Sequence, residues 1–276
     1  MVLMPNIMPH IALRPYVSHY LLLHVHLKGV PAHERIKPIP PDADQSLFFY
    51  PRSEVKVILN STSESRTSAS SVFVAQQTSR INIQFGDDHL IVQVCFRAGF
   101  MHQLLGKLPL SELQGKELNA EDVSDSEMRI LNEKLRETND YFTMIDLIER
   151  YLLRRIGQMK PEVQPIDKII ACIKDAQKPL SLDWLADQAC LSTRQFERKF
   201  QDRMGMSPKF YTRIARFDKA FKIKAKHPQL EWLDVAYHCG YFDFSHLMRD
   251  FRQFAEVTPS LLIAQNENSP DRKIIV

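Results

Sequence analysis

Arg194, Gln195 and Arg198 carry the clearest recognition chemistry in the sequence. An arginine fork can hold guanine through O6 and N7, and a glutamine amide can hold adenine through N6 and N7, so on the outer face of a helix these residues would read base edges. Phe196 and Phe200, four residues apart, bury the opposite face and leave Thr193, Arg194, Gln195, Arg198 and Lys199 wholly or partly outward. The surrounding stretch, 192–226, holds eleven Lys or Arg against Glu197, Asp202 and Asp218, a local charge of +8 in a chain whose net charge is only +3. Phosphates along a duplex would account for that density.

Other reactive side chains assemble nothing comparable. His24 and His26 share one face of a strand, the beginning of a metal site, but no Glu follows at short range and no second His-bearing strand is evident, so ordinary sheet packing is expected and no metal is assigned. Cys95, Cys172, Cys190 and Cys239 are too scattered for a zinc module or a disulfide scaffold and read as reduced core thiols. No Ser/His/Asp set or paired carboxylates emerge, so no catalytic residue, cofactor or enzymatic activity is expected. The alternative kept open is a cupin-like barrel enzyme or metal-binding domain with an appended DNA-binding module.

The elements that must position these residues change character along the chain. Up to residue 100, runs rich in Val, Ile, Phe and Tyr (18–27, 46–50, 54–60, 71–77, 80–85 and 89–96) predict six strands of a small barrel or sandwich. The Ser/Thr interval after 60 reads as a solvated loop. Tyr141, Ile145, Ile148, Leu152 and Ile156 then form one apolar stripe, better explained by packing on its own barrel than by a dimer seam. The proline-flanked KPEVQP (160–165) predicts a boundary between residues 1–160 and 161–276. Beyond it only helices are expected.

There one corner is built twice. Ser181 opens a short helix, Cys190-Leu191 make a turn, and Ser192 with Gln195 forms a capping box for the next helix, which ends at Gly205 before Ser207-Pro208. The frame recurs with Val235-Ala236, the turn Cys239-Gly240-Tyr241, the cap Asp243, the anchors Leu247 and Phe251, and Thr258-Pro259. Between the copies, 208–226 predicts a long connector helix with Arg213, Arg216, Lys219 and Lys222 outward. Two helix-turn-helix units follow, with Phe244, Ser245, His246, Met248 and Arg249 outward on the second reading helix and Asp250 unfavourable to phosphate.

With these residues in order, LADQACLSTRQFERKFQDRMGMSPKFYTRIARFDKAFKI and DVAYHCGYFDFSHLMRDFRQFAEVTPSLL resemble the DNA-binding domain of the AraC/XylS transcription regulators, over roughly Ile166 to Ala264. Glu256 stands where the family usually has Gly, matching Gly205 in the first copy. VCFRAGFMHQLLGKLPLSEL (94–113) resembles the N-terminal domains of AraC-type regulators, with Ala98 where Pro is frequent. The resemblance implies an α+β chain with a β-rich barrel or sandwich-like sensor or dimerisation domain (1–160) and an all-α domain with two helix-turn-helix motifs joined by a linker helix (161–276). It implies a sequence-specific bacterial transcription regulator that binds double-stranded DNA, and leaves open an unidentified small-molecule effector, a homodimer and contact with RNA polymerase. Globular composition, 44% hydrophobic and 25% charged, and no apolar run long enough to span a membrane put the expected location in the cytoplasm.

Overall fold

A computed structural model describes residues 1–59, 64–113, 115–124, 126–176 and 180–273. Its strands are β1 (Val2–Ile7), β2 (Val17–His26), β3 (Ile36–Ile39), β4 (Gln45–Phe49), β5 (Lys56–Leu59), β6 (Ser65–Thr67), β7 (Ser71–Val74), β8 (Ile81–Gln84), β9 (Asp88–Phe96) and β10 (Glu117–Asn119). They pair antiparallel in two sheets, in the orders β1-β2-β9-β4-β7-β10 and β3-β8-β5-β6. The expected Ser/Thr loop is partly strand: β6 pairs with β5, while residues 60–63 lie outside the described residues.

Helices follow: α1 (Phe100–Leu104), α2 (Ala120–Val123), α3 (Ser126–Glu137), α4 (Tyr141–Met159), α5 (Pro165–Asp175), α6 (Leu182–Gln188), α7 (Thr193–Met204), α8 (Pro208–Lys226), α9 (Trp232–His238), α10 (Phe244–Phe254), α11 (Pro259–Glu267) and α12 (Pro270–Lys273). The chain is thus β-rich first and all-helical afterwards, the α+β arrangement read from the sequence. Ile145, Ile148 and Leu152 of α4 bury against the first core with Leu22, Leu47 and Val92, so the stripe packs on its own sheet. Among the described residues, no helix is long and apolar enough to cross a membrane. Of the four cysteines, Cys95 and Cys239 are buried, but Cys172 and Cys190 are exposed, which corrects the reading of all four as core thiols.

A second core gathers Ile170, Phe196, Phe200, Phe217, Phe251 and Phe254. Each fully buried phenylalanine contributes about 1.5–3 kcal/mol of transfer free energy. The loop between β3 and β4 reaches into this core: Ala43 is buried there and its carbonyl accepts from the Tyr211 hydroxyl at 3.2 Å. On either side of Ala43 sit Asp42 and Asp44, and Asp44 pairs with Lys174 of α5. Burial, with Asp44 and Asp218 nearby, pushes the Asp42 carboxyl up to about 7 from 3.8. The folded chain therefore keeps this proton at pH values where the unfolded chain releases it. Stability from this group is full at acidic pH and falls as pH rises from about 4 to about 7. In Asp42→Asn that fall should be absent from urea unfolding curves measured across the same window.

Candidate DNA interface

The first corner forms as its residues dictate. Ser181 Oγ accepts from Trp184 N at 3.2 Å, and α6 closes with Leu191 N donating to Ala186 O at 3.0 Å and Cys190 N to Asp187 O at 2.9 Å. That pair of bonds is a Schellman ending, and Cys190 takes the left-handed backbone it needs, φ 55°. Ser192 Oγ accepts from Gln195 N at 3.3 Å, while Ser192 N donates to Gln195 Oε1 at 3.1 Å. The capping box thus occupies the Gln195 carbonyl and leaves its NH2 for a base. Phe196 and Phe200 are fully buried, so Arg194, Gln195 and Arg198 stand exposed along one side of α7. Thr193 and Lys199 are half-buried, and the Thr193 hydroxyl donates to Asp183 Oδ1 at 3.3 Å.

The second corner repeats the bonds: Tyr241 N donates to Ala236 O at 2.9 Å and Gly240 N to Tyr237 O at 3.0 Å, with Gly240 at φ 74°. Cys190 and Gly240 are 50 residues apart, but the caps Ser192 and Asp243 are 51 apart, so this turn holds one extra residue, Phe242. Phe242 is 82% exposed at the entry to α10. Sequence reading did not single it out, although the change of offset is visible in the chain. Phe244, Ser245 and Arg249 are exposed on α10, and His246 and Met248 are half-buried. Arg249 occupies the position of Arg198 in the repeat.

Past each reading helix the chain turns through a left-handed residue, Gly205 at φ 75° and Glu256 at φ 61°. The Gly at the first corner is obligatory for a second reason, since a Cβ there would lie 2.8 Å from Leu110 O. Glu256→Gly should relieve backbone strain of about 1 kcal/mol. Glu256 also lies in the field of Arg80, a buried residue of the first part, which offsets part of that relief. Net stabilisation in chemical denaturation should therefore be larger in an Arg80→Gln background than in the wild-type chain.

The long helix α8 corrects the sequence reading. Arg213 donates to Asp250 Oδ1 through Nη2 at 2.7 Å and Nε at 3.1 Å, and to Gln253 Oε1 at 2.5 Å. Arg216 donates to Asp250 Oδ2 at 3.1 Å and lies 4.0 Å above the Tyr241 ring. Lys219 donates to Ala176 O at 3.4 Å. Lys222 is outward as expected, its side chain 57% exposed, but its ammonium already donates to Asp218 at 2.8 Å, with Asp42 and Asp44 of the loop between β3 and β4 nearby. Asp250 is buried and neutralised by two arginines rather than turned toward DNA. Much of the +8 is spent inside the fold.

On the other flank of α7, Arg198 and Lys199 line a groove with His102, Lys107, Lys160 and Glu162 from the first part and the linker. The reading helix therefore has the N-terminal part beside it.

Two reading helices, each behind a short capped helix and joined by one connector, define a double helix-turn-helix domain. Residues 185–265 match the helix-turn-helix domain family. The transcriptional activator RhaS of Escherichia coli O157:H7 is 35% identical over 71 residues, 26% of this chain and 25% of RhaS. The transcriptional regulator GbdR of Pseudomonas aeruginosa is 29% identical over 146 residues, 52% of this chain and 36% of GbdR. This chain thus spans between a quarter and about a third of those curated relatives. For the fold, ToxT from Vibrio cholerae aligns over 90% of this chain and 98% of its own with a TM-score of 0.50 at 13% identity. The chain carries an AraC-type helix-turn-helix domain, as the resemblance in the sequence implied.

Proposed function

We propose that the chain is a sequence-specific, double-stranded-DNA-binding transcription regulator of the AraC type and has no catalytic role. The reading rests on one observation: α7 and α10 present exposed arginines, Arg198 and Arg249, at the same position of a repeated corner. Residues 161–276 are the DNA-binding part, and 1–160 the sensor or dimerisation part, taking a small-molecule effector or a second copy. Arg194, Gln195 (through its NH2), Arg198, Ser245 and Arg249 are the base-reading set. Thr193, Lys199, His246 and Met248 border it, and Phe242 and Phe244 offer apolar faces to thymine methyls. Such a regulator works in the bacterial cytoplasm and meets RNA polymerase at its promoter.

Selection of binding sites from random duplexes, followed by fluorescence anisotropy, tests this. Two heads on one connector should select an asymmetric site covering successive major grooves, about 34 Å apart. Arg198→Ala should weaken the selected site by about 1–3 kcal/mol and random DNA far less. Lys222→Ala should leave the salt dependence of binding unchanged, because its ammonium is already held by Asp218. Equal losses on selected and random DNA for Arg198→Ala would remove the base-reading assignment.

A further inference from the structure

Pairing of β2 with β9 brings together three metal-binding side chains that lie far apart in the sequence. His24 and His26 share a face of β2, and Asp88, the first residue of β9, stands directly opposite His26 in the antiparallel register. His24 Nε2 lies 2.6 Å from Asp88 Oδ1, and His26 Nδ1 lies 2.8 Å from the same oxygen. The two imidazole centroids are 4.4 Å apart. Of all His, Cys, Asp and Glu among the described residues, only these form a group of three whose donor atoms lie within 4.8 Å of one another. The missing third ligand of the sequence reading is thus on the neighbouring strand.

The surroundings are those of a held site with one open side. The Tyr141 hydroxyl at the start of α4 lies 2.8 Å from His24 Nδ1, which fixes the ring and directs Nε2 to the cluster. Asp88 N donates to Ser53 Oγ at 2.9 Å, anchoring the strand end that carries the carboxylate. Arg52 comes within 4.0 Å of Asp88 Oδ2, but its guanidinium also donates to the carbonyls of Leu135, Arg136 and Thr138 at the end of α3. His24 is 11% exposed at its side chain and His26 66%, so the cluster has a buried wall and a solvent mouth.

We propose that His24, His26 and Asp88 bind a divalent transition-metal ion of the zinc class, with water completing the coordination. Two imidazoles and one carboxylate are a donor set such ions favour, and an open position is the mark of an exchangeable rather than a structural site. Ligand bonds of about 2.0–2.1 Å in a tetrahedral arrangement put donor atoms about 3.3 Å apart. The present 2.6 and 2.8 Å contacts therefore open by about 0.5–0.7 Å when the ion replaces the shared protons. His26 and Asp88, on the solvent side, have room for that shift. The ion takes the place of the ring protons between the imidazoles and Asp88 Oδ1, each imidazole then carries its single proton on its other nitrogen, and His24 Nδ1–H donates to the Tyr141 hydroxyl, which acts as an outer-shell positioning residue. The inference is independent of the DNA-binding reading.

The full chain, stripped with EDTA and titrated with Co2+ and then Zn2+, tests it. One equivalent of Co2+ should bind with visible d–d absorption and be displaced by Zn2+. His26→Ala, whose side chain is largely in solvent, should keep its melting temperature in EDTA while losing more than the roughly 10–100-fold in affinity that outer-shell changes cost. Asp88→Asn should lose at least as much. Tyr141→Phe should keep one equivalent and the same spectrum but bind roughly tenfold more weakly. No saturable binding at one equivalent, or equal affinity in wild type and His26→Ala, would overturn the assignment.

Discussion

Asp250→Ala will destabilise the chain by about 3–5 kcal/mol, near the low end because its partners are partly solvated. The carboxylate is 4% exposed and serves two guanidiniums, Arg213 and Arg216, whose side chains are 30% and 21% exposed. Removing it leaves two like charges side by side, held against Phe254 and Tyr241, whose rings their guanidiniums overlie at 5.2 and 4.0 Å. The same bonds fasten α10 to α8, so the second head should loosen along with the fold. Urea unfolding of the full chain gives the number. A loss below about 1 kcal/mol would mean these contacts behave as ordinary surface pairs. Neutral Asn keeps the volume and one acceptor, so Asp250→Asn should fall between wild type and Ala.

This cluster also shows where sequence reading stops. A charged stripe on an amphipathic helix reads as solvated, which is why the sequence puts Arg213 and Arg216 outward. Their partner lies 37 and 34 residues further on, and nothing local announces the approach. On α7, by contrast, the caps and the two phenylalanines are local and leave only one outward face. The strands divide in the same way. All six strands legible in the sequence are interior to their sheets, whereas the four not anticipated, β1, β3, β6 and β10, are the edges. Interior strands must carry apolar runs to be buried. Edge strands can hold Pro5 in β1, Pro38 in β3 or the wholly exposed Ser65–Thr67 of β6, and lose the signal. Asp88 was invisible as a partner of His24 and His26 for the related reason that register, not spacing, sets them opposite.

Arg203→Ala should cost about 3–5 kcal/mol, because Asp167 would then be left buried without its cation. The pair is tight, Nε to Oδ1 at 2.8 Å with side chains 9% and 4% exposed, and Arg203 Nη2 also donates to Gln164 Oε1 at 2.5 Å. Three segments meet there. Asp167 Oδ2 accepts from Gln164 N at 2.8 Å, which closes the linker onto the first turn of α5. A Cβ on Gly99, at φ 82°, would fall 2.1 Å from Asp167 Oδ1, so the corner after β9 is built around the carboxylate. The Arg203 carbonyl, for its part, accepts from Gln45 Nε2 of β4 at 2.8 Å. Loss of the guanidinium therefore frees the far end of α7 from α5 and the linker, leaving the backbone bond to Gln45, and DNA affinity should fall together with stability. Converting both partners, as Arg203→Met with Asp167→Leu, removes the stranded charge and should recover part of the loss seen in Arg203→Ala alone. The Asp167 change also deletes the cap, at about 0.5–2 kcal/mol, so recovery stays incomplete. If the double variant is instead as unstable as the two single losses added together, the ions do not act as a pair, and the junction is held by packing around Gly99 and Gln45.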